Sequence, residues 1–392
     1  MNNELKPAMP TKFYLPQLDG LRFFAFFLVF LHHFTTGATY FSPHSVAHFV
    51  TIKLSTFGWI GVDLFLCLSS FLLTSLMIME YRNTGSLSIK QFFIRRALRI
   101  WPLYYLMMLF AFLILPAITY FSPALHTEAY FTFVKNHLLP FSVFLGNFSY
   151  AYFTNTLTLA IGPLWTVSLE EQFYIFWPIL LFILLPRNKR WFFFALGFLV
   201  VLSFAVRFYI IKNNIPYPAI WVFTLGRLDP FALGAFLSYL YLNPKFKPRP
   251  LIALVLSLFL FKLVICSTGI GMPNTIWQLF VVDLAGCLLI YSALYSRKMS
   301  QLLSMKPLPW LGKVSFGLYI FHDIMIHLTA DNLIASLTKH IPWLLNSLTL
   351  WFVSLALTLL ATILCAGFSY HAFEKHFLKL KTRFTIIASR PA

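Results

Sequence analysis

Residues 18–34 read LDGLRFFAFFLVFLHHF, and how this stretch folds decides the architecture. It is apolar from Phe23 to Leu31, with Arg22 before and His32 and His33 after. No period-2 alternation runs through it, so it reads as a helix, apolar enough to enter a membrane. At about 100° per residue, the steps from Arg22 to His33 return to nearly the same helix face, roughly 20° off. The rise between them is about 16 Å, roughly half a hydrocarbon core. The spacing therefore predicts a cation at one membrane surface and an imidazole on the same face, deep inside. An ionisable group at that depth is costly and marks a functional candidate. His32 lies about 100° round the helix and serves as the control.

The rest of the chain continues the pattern. Of its 392 residues, 59% are hydrophobic and 11% charged, against about 25% charged in a soluble domain. Mean hydropathy is +0.77. The apolar blocks are near the roughly 20 residues that cross a bilayer, and they lack strand alternation. The expected fold class is therefore all-α, a polytopic transmembrane bundle of about ten spans. These fall near 20–38, 57–79, 98–118, 167–186, 191–211, 225–242, 250–268, 277–295, 312–331 and 346–368. The net charge of +18 is read as topology, because the cations punctuate apolar spans. That excludes a nucleic-acid partner, which needs a basic water-exposed face.

Segments on one side of this map hold 23 of the 30 Lys and Arg residues. The asymmetry predicts both termini in the cytoplasm, provided the number of spans is even. An extra apolar stretch, HLLPFSVFLGNFSYAYF at 137–153, is interrupted by Pro140, Gly146 and Asn147. It reads as a re-entrant or interfacial piece of one long outer loop, 119–166. The four cysteines, Cys67, Cys266, Cys287 and Cys365, form no CxxC pair and read as buried small hydrophobes. The polar approach and the charges in the first span make a poor secretory signal, so that span is expected to stay uncleaved. The whole of 1–392 reads as a single membrane domain with a short basic tail and no appended extracytoplasmic domain.

Three constellations carry chemistry. Arg22 and His33 are the first; the alternatives are a snorkelling anchor for Arg22 and an interhelical hydrogen bond for His33. Arg95, Arg96 and Arg99 in FFIRRALRIWPLYY (92–105) are the second. Spaced i, i+3 and i, i+4 on a helix entering from the cytoplasm, they either anchor it or clamp phosphates with forked guanidiniums. The third is GPLWTVSLEEQFYIFWP (162–178), where Glu170 and Tyr174 share a face. Its acids either complement the helix macrodipole, with Ser168 as cap, or serve a site. Asp63, Arg227, Asp229 and His322 are further polar residues in apolar frames, and Lys262 reads as a structural partner of Asp283. No metal-ligand spacing, Walker loop or GxSxG occurs.

In order along the chain, these pieces resemble the integral-membrane acyltransferase-3 family, which includes bacterial O-acetylases of surface polysaccharide. The resemblance rests on LDGLRFFAFFLVFLHHF, GVDLFLCLSSFLLT, FFIRRALRIWPLYY, GPLWTVSLEEQFYIFWP, GRLDPFALGAFL and FGLYIFHD, and covers roughly 14–378. It implies Arg22 and His33 as the Arg-x10-His pair, Arg95, Arg96 and Arg99 as the Arg cluster, and Glu170 as the acid of the third constellation. Glu171 is the neighbour expected to vary. The chain departs from the pattern at Ser70, where glycine is usual, and at Phe321 and Asp323, where tryptophans are common.

The resemblance implies an enzyme, an O-acyltransferase of the inner (cytoplasmic) membrane that uses acyl-CoA, usually acetyl-CoA, and no metal. The expected acceptor is a hydroxyl of a glycan or lipid-linked glycan, with O-antigen favoured over peptidoglycan. Cytosolic coenzyme A carries phosphates, and Arg22, Arg95, Arg96 and Arg99 supply cations on that side. His33 is then a general base or an acyl carrier, and Glu170 orients it or binds the acceptor. Asp63, Tyr174, Arg227, Asp229 and His322 are expected to line the acceptor's path. The rival readings are a proton-coupled transporter or flippase, which the lack of internal repeats disfavours, and an acyltransferase acting on a small molecule or lipid carrier.

Overall fold

A computed structural model describes residues 12–34, 44–116, 128–153, 161–243, 249–268, 274–341 and 348–387. Among these residues every extended element is a helix, as a chain that must satisfy its backbone without water requires. We label the principal ones α1 (Pro16–His33), α2 (Ile60–Thr84), α3 (Ile89–Leu109), α4 (Glu128–Ser142), α5 (Gly146–Tyr152) and α6 (Leu164–Leu184). The series continues with α7 (Lys189–Lys212), α8 (Asp229–Leu242), α9 (Pro250–Thr268) and α10 (Gln278–Tyr295). It ends with α11 (Ser315–Met325), α12 (Leu348–Ser369) and α13 (Lys375–Lys381).

Seven helices among the described residues are long and apolar enough to cross a membrane. They are α2, α3 with its continuation to Ile114, α6, α7, α9, α10, and the run from α12 to Phe384. The other three expected spans are also helical. However, α1 carries Asp19, Arg22, His32 and His33 among its 18 residues, α8 has 14 residues, and α11 has 11 before a π-turn over Ile326–Asp331. Polar residues lower the apolar character of α1, whereas α8 and α11 are simply short. The end of the first expected span and part of the outer loop, together with Arg390 of the basic tail, lie outside the described residues.

Helices α1 and α2 form the centre. A Cβ on Gly61 would collide with the Ala25 carbonyl, and one on Gly234 of α8 with the Cys67 carbonyl. Small residues thus let α1, α2 and α8 approach backbone to backbone, the usual device where lipid offers no hydrophobic drive. Short polar groups bind the crossings: Ser70 Oγ donates to the Phe231 carbonyl at 2.6 Å, and the Ser75 and Ser238 hydroxyls meet at 2.9 Å. Ser70, unusual for the family pattern, therefore sits at the close crossing of α2 and α8. At the periphery, α9 is only 17% buried over its apolar window.

The stretch at 137–153 holds no helix long enough to be a candidate span, and it is not a loose loop. It forms the end of α4 and all of α5, held to the bundle where the Tyr104 hydroxyl donates to the Phe141 carbonyl at 2.7 Å. Gln172 Nε2 donates to the Phe144 carbonyl at 2.7 Å and to Asn147 Oδ1 at 2.8 Å. Near both described chain ends, Phe13 and Ile387 are buried in one cluster with Leu18 and Leu303.

Candidate active site

A cavity opens between the N-terminal half of α1 and helices α2, α3, α6, α11 and α13. Its walls bring together Arg22, Arg96, Arg99, Glu170 and Tyr174 from sequence segments far apart. Helix α6 begins at Leu164, so Ser168 is not the expected cap; buried inside the helix, its hydroxyl donates to the Leu164 carbonyl. Two residues further on, Glu170 points into the cavity. Its Oε1 accepts from Ser69 Oγ and its Oε2 from the Tyr174 hydroxyl, each at 2.9 Å. Glu171 turns aside and accepts from Trp101 Nε1 at 3.0 Å. On α3 the Arg96 guanidinium lies over the Tyr174 ring, 5.5 Å from its centroid. On α1, Arg22 pairs with Asp19 at 3.6 Å. Three guanidiniums and the Lys381 amine of α13 thus line the cavity, against the carboxylates of Asp19 and Glu170.

Arg95 does not line this cavity. It donates to the Phe384 carbonyl at 2.7 Å and reaches Glu80 at 3.4 Å, tying α3 to the C-terminal segment. One helical turn separates it from Arg99, but it stands about 100° from Arg96, so the three arginines cannot all share one face.

His33 is also outside the cavity wall. It is the last residue of α1, and its side chain is 39% exposed rather than sealed in the bundle. The carboxylate paired with it is Asp323, with Oδ1 3.8 Å from His33 Nδ1, and not Glu170. The departure from the family pattern at Asp323 thus falls on the histidine that the pattern singles out. The His322 ring stands edge-on to His33 with centroids 5.1 Å apart. His322 is fully buried, and its Nδ1 lies 2.6 Å from the Tyr319 carbonyl. A carbonyl only accepts, so Nδ1 carries the proton and Nε2 presents a lone pair. Tyr319 in turn lines the cavity and accepts from Thr166 Oγ1 at 2.9 Å. The sequence Tyr319–His322–His33 therefore links the cavity's inner wall to the end of α1.

The remaining expected acceptor residues are elsewhere. Asp63 and Arg227 pair at 2.6 Å, and Arg207 and Asp229 pair at 2.7 Å, all fully buried and away from the cavity. Their charges are spent on each other, so they cross-link α2, α7, the turn at Thr224–Arg227 and α8 instead of lining a path. Asp283 lies beside Cys67 Sγ, 3.9 Å from it, while Lys262 is exposed, so that expected pair does not form.

Sequence reasoning missed Ser69, Lys381 and the Asp323 contact. Ser69 stood in a marked stretch, and its hydroxyl was the available signal. Lys381 was counted only as topology. Among the described residues no group of three or more His, Cys, Asp or Glu side chains is placed to hold a metal.

A family model described as an acyltransferase domain matches residues 15–367. A Staphylococcus aureus protein, provisionally named an O-acetyltransferase, is 26% identical over 386 residues, covering 93% of this chain and 58% of its own. A Bacillus subtilis protein provisionally named a peptidoglycan O-acetyltransferase is 26% identical over 381 residues, 92% of this chain and 54% of its own. The peptidoglycan O-acetyltransferase of Listeria monocytogenes is 27% identical over 341 residues, 81% of this chain and 50% of its own. The chain spans about half the length of the curated relatives it matches. No solved structure matches.

Proposed function

The chain belongs to the acyltransferase-domain family, and on that premise we propose that it transfers an acetyl group from cytosolic acetyl-CoA to a hydroxyl of a cell-surface glycan. The observation that carries this reading is the cavity where Arg22, Arg96 and Arg99 converge beside Glu170. Guanidiniums on two helices offer forked donors to the donor's phosphates, and the surplus of cations over carboxylates favours a polyanion there. The bond from Glu170 to Tyr174, over whose ring Arg96 lies, helps set the position of that guanidinium.

His33 acts at the far end of the same helix. Asp323 faces its Nδ1, which leaves Nε2 to take the proton of the acceptor hydroxyl. The oxygen then attacks the thioester carbonyl and the thiol is released. Asp323, not Glu170, is the carboxylate that orients this imidazole and stabilises its charged form. With the N-terminus inside, the cavity faces the cytoplasm and His33 the outer half of the membrane, so donor and acceptor approach from opposite sides.

Two relatives are named for peptidoglycan, so a peptidoglycan glycan strand is the first acceptor to assay and O-antigen the second. The purified protein with acetyl-CoA should release free thiol in the presence of the acceptor. Cells carrying the protein should show O-acetyl groups on that glycan by mass spectrometry. No thiol release with either acceptor, together with proton-driven solute uptake into liposomes, would replace this reading with the transporter.

A further inference from the structure

The family-matched region ends at residue 367, yet the polar cavity does not. We propose that Lys381, in the helix beyond that region, is a donor-binding residue that holds a phosphate of acetyl-CoA, and that Arg95 positions it. The proposal rests on the donor reading above and extends it to a part of the chain outside the family-matched region.

Lys381 lines the same cavity as Arg22, Arg96 and Arg99. It appears in no ion pair among the described residues, and the cavity's carboxylates are already engaged, Asp19 by Arg22 and Glu170 by Ser69 and Tyr174. Its amino group is therefore left for something that enters. A basic side chain near a membrane surface usually only snorkels there, but the segment bearing this one is tied down. Helix α13 packs against α3. Just after it, the Phe384 carbonyl accepts from Arg95 at 2.7 Å, and the Thr385 hydroxyl donates to the Lys381 carbonyl at 3.0 Å. Arg95 is itself held by Glu80, whose other oxygen accepts from the Ser88 backbone N–H at 2.7 Å. Ile387 closes the segment by burial in the cluster that contains Phe13, and Phe13 also walls the cavity. A sequence of fixed contacts thus presents one cation to the mouth. An ammonium on a flexible stem suits a phosphate that has no fixed fork geometry, whereas the guanidiniums of α1 and α3 suit bidentate contact.

The test uses the full chain in detergent, with calorimetry of acetyl-CoA and of acetyl-pantetheine, which keeps the thioester and lacks the phosphates. Lys381→Gln should lower the preference for acetyl-CoA over acetyl-pantetheine by roughly tenfold. Lys381→Arg should restore most of it, and Arg95→Gln should move it in the same direction as Lys381→Gln. In the unmutated protein, acetyl-CoA but not acetyl-pantetheine should protect Lys381 from an amine-modifying reagent, a readout that needs no variant to fold. If the wild type binds acetyl-CoA but Lys381→Gln binds it equally well, or if Lys381 is not protected, the proposal fails and the donor reading stands. If the wild type does not bind acetyl-CoA, both fail.

Discussion

At the scale of single residues, the site divides into a cationic cavity and an imidazole with its own carboxylate. His33→Ala should lower transfer at least about 100-fold, the low end for a general base, while the protein still inserts. His32→Ala should retain most activity, because that ring turns to another face. Asp323→Asn keeps the shape and removes the charge facing His33 Nδ1. We expect kcat to fall about tenfold or more with little change in KM, measured by thiol release. A loss confined to KM would make Asp323 an acceptor contact instead. For the donor, Arg99→Ala should weaken acetyl-CoA binding roughly 10- to 100-fold and Arg99→Lys should recover only part of that, since an ammonium loses the fork. Equal rescue by lysine would mean that Arg99 is only a membrane-surface anchor. Most of these residues were legible in the sequence because an ionisable side chain inside an apolar run has few bland explanations. Asp323 was visible too, as a departure, but its partner is on another helix more than 280 residues away in the chain.

At the scale of elements, the buried ion pairs hold the helices that frame the site. Asp63 on α2 meets Arg227, and Asp229 on α8 meets Arg207 of α7, all shielded from solvent. Removing one partner leaves a buried charge uncompensated, which typically costs about 3–5 kcal/mol. Asp63→Ala should therefore show a clear loss of thermal stability in detergent, larger than any loss caused by Arg99→Ala at the cavity. If Asp63→Ala melts like the wild type and yet loses acceptor affinity, the substrate role expected from the sequence returns. The helices themselves were predictable to within several residues, since a bilayer permits little else. The start of α3 was not, because the helix begins at Ile89, well before the expected 98, and carries the arginine-bearing turns ahead of the apolar block. The pairing of Asp63 with Arg227 was likewise hidden, as the two lie in segments 164 residues apart.

At the scale of the whole molecule, the expected map puts both termini in the cytoplasm and so requires an even number of crossings. Labelling tests the direction. In a Cys266→Ser background, a cysteine at Asn213 should react with an impermeant thiol reagent on intact cells, and one at Ser86 only after permeabilisation. The reverse pattern would invert the map and with it the sides from which donor and acceptor approach. Composition and periodicity by themselves determined the class, a helical membrane protein, because the cost of unpaired backbone and of charge in hydrocarbon leaves few alternatives. The spacing of Arg22 and His33 likewise placed them on nearly the same face of one helix, since helix geometry is local. Which charges remain available was decided only by tertiary structure. Asp63, Arg227, Asp229 and Arg95 look as functional in the sequence as Arg22, Arg99 and Glu170. Packing pairs the first group with partners on neighbouring elements and leaves the second around a cavity, because a buried charge must be paired, and its partner is set by which helices touch.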